Sequence, residues 1–354
     1  MEFLSSYGLF FAKIATVLIT IILILLVIFS LGQRKQNKKG NLKLIDLGEA
    51  YRERQREMQQ IKMSNFEYKA WLKTYKKQRK IEEKKQKSVF KICQEAVKKP
   101  CLFVINFKGS MNANEVNALR EEITSILSIA DNKDEVLLRL ESPGGVVHGY
   151  GLAASQLNRL KEKGLKLIVS VDKVAASGGY MMACVGDRII AAPFAIIGSI
   201  GVVAQVPNFY RLLKKKDIDI ELHTAGEYKR TLTLLGENTE HGRKKFVQDL
   251  NETHQLFKDF VQQKRPNIDI NAVATGEHWY GIQAKENGLI DEVGVSDDII
   301  INNIDTREII EVTYTISKCF VNRIMSSITE NSYKLLTQLY QTWQKLPFQS
   351  MIEK

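Results

Sequence analysis

The sequence predicts an α/β domain with a parallel-rich sheet, preceded by an N-terminal transmembrane helix. Three observations carry this. From Pro100 onward, short apolar runs alternate with segments of helical period, the pattern of βαβ units. Ile14 to Leu31 reads IATVLITIILILLVIFSL, eighteen residues without a charge, Gly or Pro. Between these two regions lies a segment that holds the whole basic excess of the chain.

At 1.5 Å rise per residue, about 20 apolar residues cross a bilayer core. Phe10 and Phe11 precede the Ile14–Leu31 run, so its length suits a membrane anchor. A cleaved signal peptide would have a basic start and a shorter apolar stretch ending in a small-x-small site. Here the start carries Glu2, and no such site follows. Residues 1–33 are therefore expected to form an uncleaved anchor. Arg34, Lys35, Lys38, Lys39 and Lys43 crowd its C-terminal flank. By the positive-inside rule these place the bulk of the chain in the cytoplasm.

The 354 residues carry a formal net charge of +11. Residues 34–99 hold 21 Lys or Arg against 8 Asp or Glu, net +13, while residues 100–354 are net −2. The charge therefore gives no reason to assign specific nucleic-acid binding to the main domain. Between Glu49 and Pro100 there is neither Pro nor Gly, and Glu and Lys fall at helical spacings. A solvated helical linker follows, with anionic lipid as an electrostatic partner. Cys93, Cys101, Cys184 and Cys319 lie far apart without CxxC spacing. That gives neither a zinc ribbon nor a disulfide framework, and neither metal nor cofactor is expected.

In the body, Leu102–Phe107 reads as a strand. Asn114–Ile129 reads as a helix with Val116, Leu119, Ile123, Ile126 and Leu127 on its core face. Val136–Leu140 is a strand broken by Glu141-Ser142-Pro143-Gly144-Gly145. Tyr150–Lys163 is a helix, Leu165–Val171 a strand, and Ser177–Val185 the opening of a helix. Arg188–Ala192, Gly198–Val203 and Ile218–His223 read as strands, and about Glu240–Lys264 as helical. The uncharged stretch Ile189–Val206 contains Pro193, Gly198 and Gly201. That punctuation favours buried strands and turns over a second membrane helix.

Chemistry concentrates around Ser177. It follows an apolar strand and turn and opens a helix, so its hydroxyl lies at a sheet edge and at the positive helix end. Unpaired N–H groups there suit an oxyanion, and Gly178 and Gly179 permit close approach. An N-cap serine would look the same. A nucleophilic serine needs a base. None of the five His has a local signature and no G-x-S-x-G surrounds Ser177. A distant Ser-His-Asp triad stays open. Lys229 is the other candidate, just beyond the expected strand ending at His223. Its amine accepts a proton only where burial disfavours the charged form.

Four motifs occur in order: ESPGG at 141–145, DKVAASGGYMMA at 172–183, GSIGVV at 198–203 and TAGEYKR at 224–230. In this the chain resembles the signal peptide peptidase A family of Ser-Lys serine peptidases. The resemblance implies a crotonase/ClpP-like fold of stacked βαβ units, with residues 100–305 as the peptidase domain. It implies Ser177 as nucleophile and Lys229 as general base, with Ser199 orienting the Lys amine and Gly144 and Gly178 as oxyanion donors. It further implies peptide substrates such as signal-peptide remnants, a homo-oligomer, and an inner-membrane protein with a periplasmic catalytic domain. That side opposes the flanking charges. A crotonase-like acyl-CoA enzyme and a non-catalytic membrane scaffold are the alternatives. Residues 306–354 are read as an extension whose Tyr333, Leu336, Tyr340 and Trp343 suit a packing or oligomerisation helix.

Overall fold

The computed structural model describes Gly8, Phe10, Phe11 and residues 13–21, 40–93 and 99–315. Residues 13–21 are helical and exposed. The remainder of the apolar run and the aromatic stretch after residue 320 lie outside the described residues. Among the described residues no helix is long and apolar enough to cross a membrane.

A compact unit runs from Leu42 to Tyr314. It begins on strand β1 (Asn41–Asp46) and helices α1 (Leu47–Lys62) and α2 (Asn65–Cys93). Asp46 starts α1 by accepting the Glu49 N–H at 2.8 Å, an N-cap. Then follow β2 (Cys101–Lys108), α3 (Val116–Leu127), β3 (Glu135–Glu141), α4 (Val147–Glu162) and β4 (Lys166–Val171). β5 (Val174–Ala176) leads directly into α5 (Gly178–Ala183), followed by β6 (Arg188–Ala191) and β7 (Ile196–Gly198). The chain continues through α6 (Tyr210–Lys214), α7 (Glu240–Lys264), α8 (Ile270–Val273), β8 (His278–Tyr280) and α9 (Gly281–Glu286). It closes with β9 (Glu292–Val293), α10 (Ser296–Asn303) and β10 (Glu308–Thr315).

Seven strands form the main sheet in the order β1-β10-β2-β3-β4-β6-β9. β10 through β9 pair in parallel, as βαβ connections require. Strands in such a sheet are buried on both faces. In β2, Phe103, Ile105 and Phe107 join the large core that includes α3 and α4. Leu102 and Val104 point to the other face, packed with Ile299 and Ile300 of α10 and with Leu47 and Tyr51 of α1. The sheet draws strands from residues 41–46 and 308–315, on either side of residues 100–305.

A second sheet, β5-β7-β8, repeats the same progression in miniature. β4 leads into β5 and β6 into β7, while Ser142, just after β3, bridges Ala175 in parallel. Successive turns of the chain thus add a long strand to the first sheet and a short one to the second.

Two expected strands differ. The strand expected at Gly198–Val203 lies earlier, at Ile196–Gly198, because Gly198 (φ 100°) and Ser199 (φ 51°) leave the extended region. Ile218–His223 is exposed and forms no strand. Its alternation of Ile218, Ile220 and Leu222 lacks a neighbouring strand to pair with, and sheet preference is realised only in such pairing.

Candidate active site

The second sheet sets three loops side by side. Ser142 donates its N–H to Val174 O at 2.8 Å and accepts the Ala176 N–H on its carbonyl at 3.0 Å. Ser177 donates to Gly198 O at 2.8 Å, and Ser199 donates to Glu277 O at 2.7 Å. These bonds bring together the glycine loop, Ser177 and the Ser199 loop, which lie far apart in sequence.

Ser177 has φ 50° and ψ −119°. A non-glycine residue in such a region costs about 1–3 kcal/mol and persists only where its surroundings over-determine it. The surroundings here do so: the Ser177 N–H is fixed by Gly198, its carbonyl accepts the Met181 N–H at 3.0 Å, and the flanking β5 and α5 are buried. Ser177 itself is half-buried. Ser177 thus stands at a strand-to-helix junction, as the serine of a nucleophile elbow does, with no G-x-S-x-G sequence around it.

Gly144 has φ 88°. A Cβ there would lie 2.7 Å from Ala176 O, 2.8 Å from Gly178 N and 2.8 Å from the Ser177 Cβ. The position therefore needs glycine twice, for its backbone angle and for its closeness to Ser177. Among the described residues no acceptor takes the Gly178 N–H. The Gly144 N–H is donated to Ser142 Oγ at 3.1 Å.

Ser199 is half-buried and shares the strained positive φ. The following Ile200 is fully buried, and its carbonyl accepts a hydrogen bond at 3.1 Å from His254 Nε2 on α7. His254 is the histidine tied to this loop, and its Nε2 carries the proton because a carbonyl only accepts. Among the described residues no hydrogen bond joins Lys229 to Ser177. Residues 221–230 are all exposed, and the Lys229 amine has no hydrogen-bond or ion-pair partner among the described residues. Its loop rests on the start of α7, with Glu227 3.4 Å from His241 Nε2 and the Tyr228 and His241 rings 5.8 Å apart. Among the described residues no group of His, Cys, Asp and Glu could hold a metal ion.

Sequence reading attached no role to Ser142 and treated Tyr150 only as the start of a helix. Both are fully buried here, and their hydroxyls lie 2.6 Å apart beneath the glycine loop. The signal available was ESPGG itself, in which a serine precedes Pro-Gly without an obvious apolar partner.

A strained serine at a helix start, faced by a glycine loop, is an arrangement suited to hydrolytic chemistry. Residues 2–157 match the family "Peptidase family S49 N-terminal" and residues 159–308 match "Peptidase family S49". The chain belongs to peptidase family S49. It is 49% identical over 349 residues to the probable protease SohB of Haemophilus influenzae, covering 98% of this chain and 99% of that one. It is 50% identical over 342 residues to the probable protease SohB of Buchnera aphidicola subsp. Acyrthosiphon pisum, covering 96% and 98%. Protease 4 of Haemophilus influenzae is 30% identical over 207 residues, 54% of this chain and 32% of that one.

Proposed function

We propose that the protein is a membrane-anchored serine endopeptidase in which Ser177 attacks peptide bonds with Lys229 as its base. The observation that carries this is the Ser177 backbone, held at φ 50° between the Gly144 loop and Gly198 at the start of a helix. A structural N-cap has no need of that strain: the caps Asp46 and Thr239 sit in extended backbone.

In the reaction, Ser177 Oγ adds to the substrate carbonyl while its proton passes to neutral Lys229 Nζ. The Gly178 N–H, free of acceptors among the described residues, stabilises the oxyanion. One such donor supplies about 3–4 kcal/mol. Gly144 adds a second donor, its N–H shared between Ser142 Oγ, which holds it in place at 3.1 Å, and the oxyanion. The Lys229 ammonium then protonates the leaving amine, and water, deprotonated in turn by Lys229, releases the acyl group. Ser199 orients the amine.

Lys229 reaches this role once its exposed arm is covered. A homo-oligomer in which a neighbouring copy packs on residues 203–235 provides the cover. Residues 1–33 anchor the protein in the inner membrane, beside anionic lipid drawn to the basic segment. Substrates are unfolded or membrane-released peptides, signal-peptide remnants among them. A reporter fused at residue 100 reads the side of the membrane.

Peptide hydrolysis by wild type, Ser177→Ala and Lys229→Ala in detergent tests the dyad. Both variants should lose turnover, and a fluorophosphonate should label wild type but not Ser177→Ala. Full activity in Lys229→Ala would sink the assignment of the base. Absence of Ser177-dependent labelling and of peptide turnover in wild type would favour an acyl-CoA-type site using the same oxyanion groups.

A further inference from the structure

Tyr150 Oη donates to Ser110 O at 2.9 Å. Its single proton is thereby spent, so the 2.6 Å contact with Ser142 must be donated by Ser142. Ser142 Oγ in turn accepts the Gly144 N–H at 3.1 Å. The result is a one-way chain from Gly144 through Ser142 and Tyr150 to Ser110. Its far end is pinned by Glu115, which accepts from both the N–H and the hydroxyl of Ser110 at 3.1 and 2.9 Å.

The same tyrosine supports the other side of the site. A Cβ on Gly178 would lie 2.4 Å from Tyr150 Cγ, so the ring lies directly against the residue whose N–H faces the oxyanion. A Cβ on Gly179 would fall 2.5 Å from Ser142 O, and one on Gly109 would fall 2.4 Å from Tyr150 Oη. Glycines thus surround the pair wherever backbone must come close. Tyr150 and Ser142 are fully buried, and burial raises the phenol above its ordinary value of 10. The hydroxyl therefore stays protonated and able to donate at neutral pH.

We propose that Tyr150 is the positioning residue of the acyl site: its hydroxyl, through Ser142, sets the Gly144 loop, and its ring sets Gly178. The inference rests on the reading of Ser177 as nucleophile. It predicts that the two oxyanion donors are aligned by one side chain, so removing its hydroxyl misplaces the donors without touching the substrate-binding surface.

The test is steady-state hydrolysis of a fluorogenic peptide by the full chain in detergent, with Tyr150→Phe, Ser142→Ala and the double variant. Tyr150→Phe keeps the ring and should lower kcat by 10-fold or more, with KM within about twofold of wild type. Fluorophosphonate labelling of Ser177 should slow in parallel. Ser142→Ala should behave alike, and it carries the test if Tyr150→Phe does not fold. The double variant should lose little beyond either single one, because both hydroxyls act in one chain. Losses that multiply, or an unchanged kcat in a folded variant, would overturn the proposal. A wild-type protein with no Ser177-dependent turnover would instead bring down the peptidase reading on which the proposal rests.

Discussion

Replacing Ser177 by glycine should leave the protein more stable than replacing it by alanine, though both changes remove the hydroxyl. The backbone at φ 50° and ψ −119° costs a side-chain-bearing residue about 1–3 kcal/mol. Glycine escapes that cost but gives back about 0.5–1 kcal/mol through the greater freedom of its unfolded chain. The balance favours Ser177→Gly by up to about 2.5 kcal/mol. In a domain of this size each kcal/mol moves Tm by about 2–4 °C, a difference that thermal melts of the two full-length variants in the same detergent resolve. Neither variant should react with a fluorophosphonate. If Ser177→Ala melts above Ser177→Gly, the serine is not held under strain, and the backbone argument for its role fails.

Gly144→Ala should destabilise by about 2–4 kcal/mol, from the positive φ and from overlap with Ala176 O and the Ser177 Cβ; it should also lower kcat by at least about 100-fold, measured by denaturation and peptide hydrolysis. Glu122 is 5% exposed, and burial raises its carboxyl from 4.5 to about 7, offset in part by the Tyr314 N–H it accepts and reinforced by Glu311. The folded state then holds a proton that the unfolded state releases, so stability should fall as pH rises from 4.5 to 7, by at most about 3 kcal/mol. Urea midpoints at pH 5 and pH 8 should show this fall, and Glu122→Gln should remove its share. Mixing inactive Ser177→Ala with inactive Lys229→Ala before reconstitution should restore part of the peptide hydrolysis if one copy lends its lysine to another; no recovery would confine the dyad to a single chain.

Most strands of the main sheet were legible because a parallel strand buried on both faces reads as an unbroken apolar run, as in Leu102–Phe107 and Leu165–Val171. α7 was legible at both ends: Thr239 caps it by accepting the Gly242 N–H at 3.1 Å, and Pro266 follows Arg265, its last capping residue. The short sheet was harder. Its strands of three residues are held by pairing between distant loops rather than by local preference, and backbone torsion at Gly198 and Ser199 ends β7 where the sequence continues with β-favouring residues. Ser177 stood out because a serine followed by two glycines at a strand-to-helix junction is a local pattern. Ser142 and Tyr150 did not, because their function as a pair arises only when residues 110, 142, 150 and 178 are folded onto one another.

The exposed Lys229 and the unformed strand at 218–223 would share one physical explanation under the proposed oligomer. Between residues 203 and 235 the chain presents apolar side chains to solvent, among them Val203 at 91%, Leu212 at 55%, Leu222 at 52% and Leu235 at 40%. Fully covering a side chain of that kind is worth about 1.5–3 kcal/mol. Exposed apolar side chains of this kind suit the neighbouring copy proposed above. The alternating Ile218, Ile220 and Leu222 would gain the pairing that a single chain does not offer. The same cover would remove water from Lys229, and an amine gives up its proton at neutral pH only when its charged form is desolvated. A lysine base and a strand without a neighbour are thus two requirements that one contact, made by a second copy of the chain, would meet together.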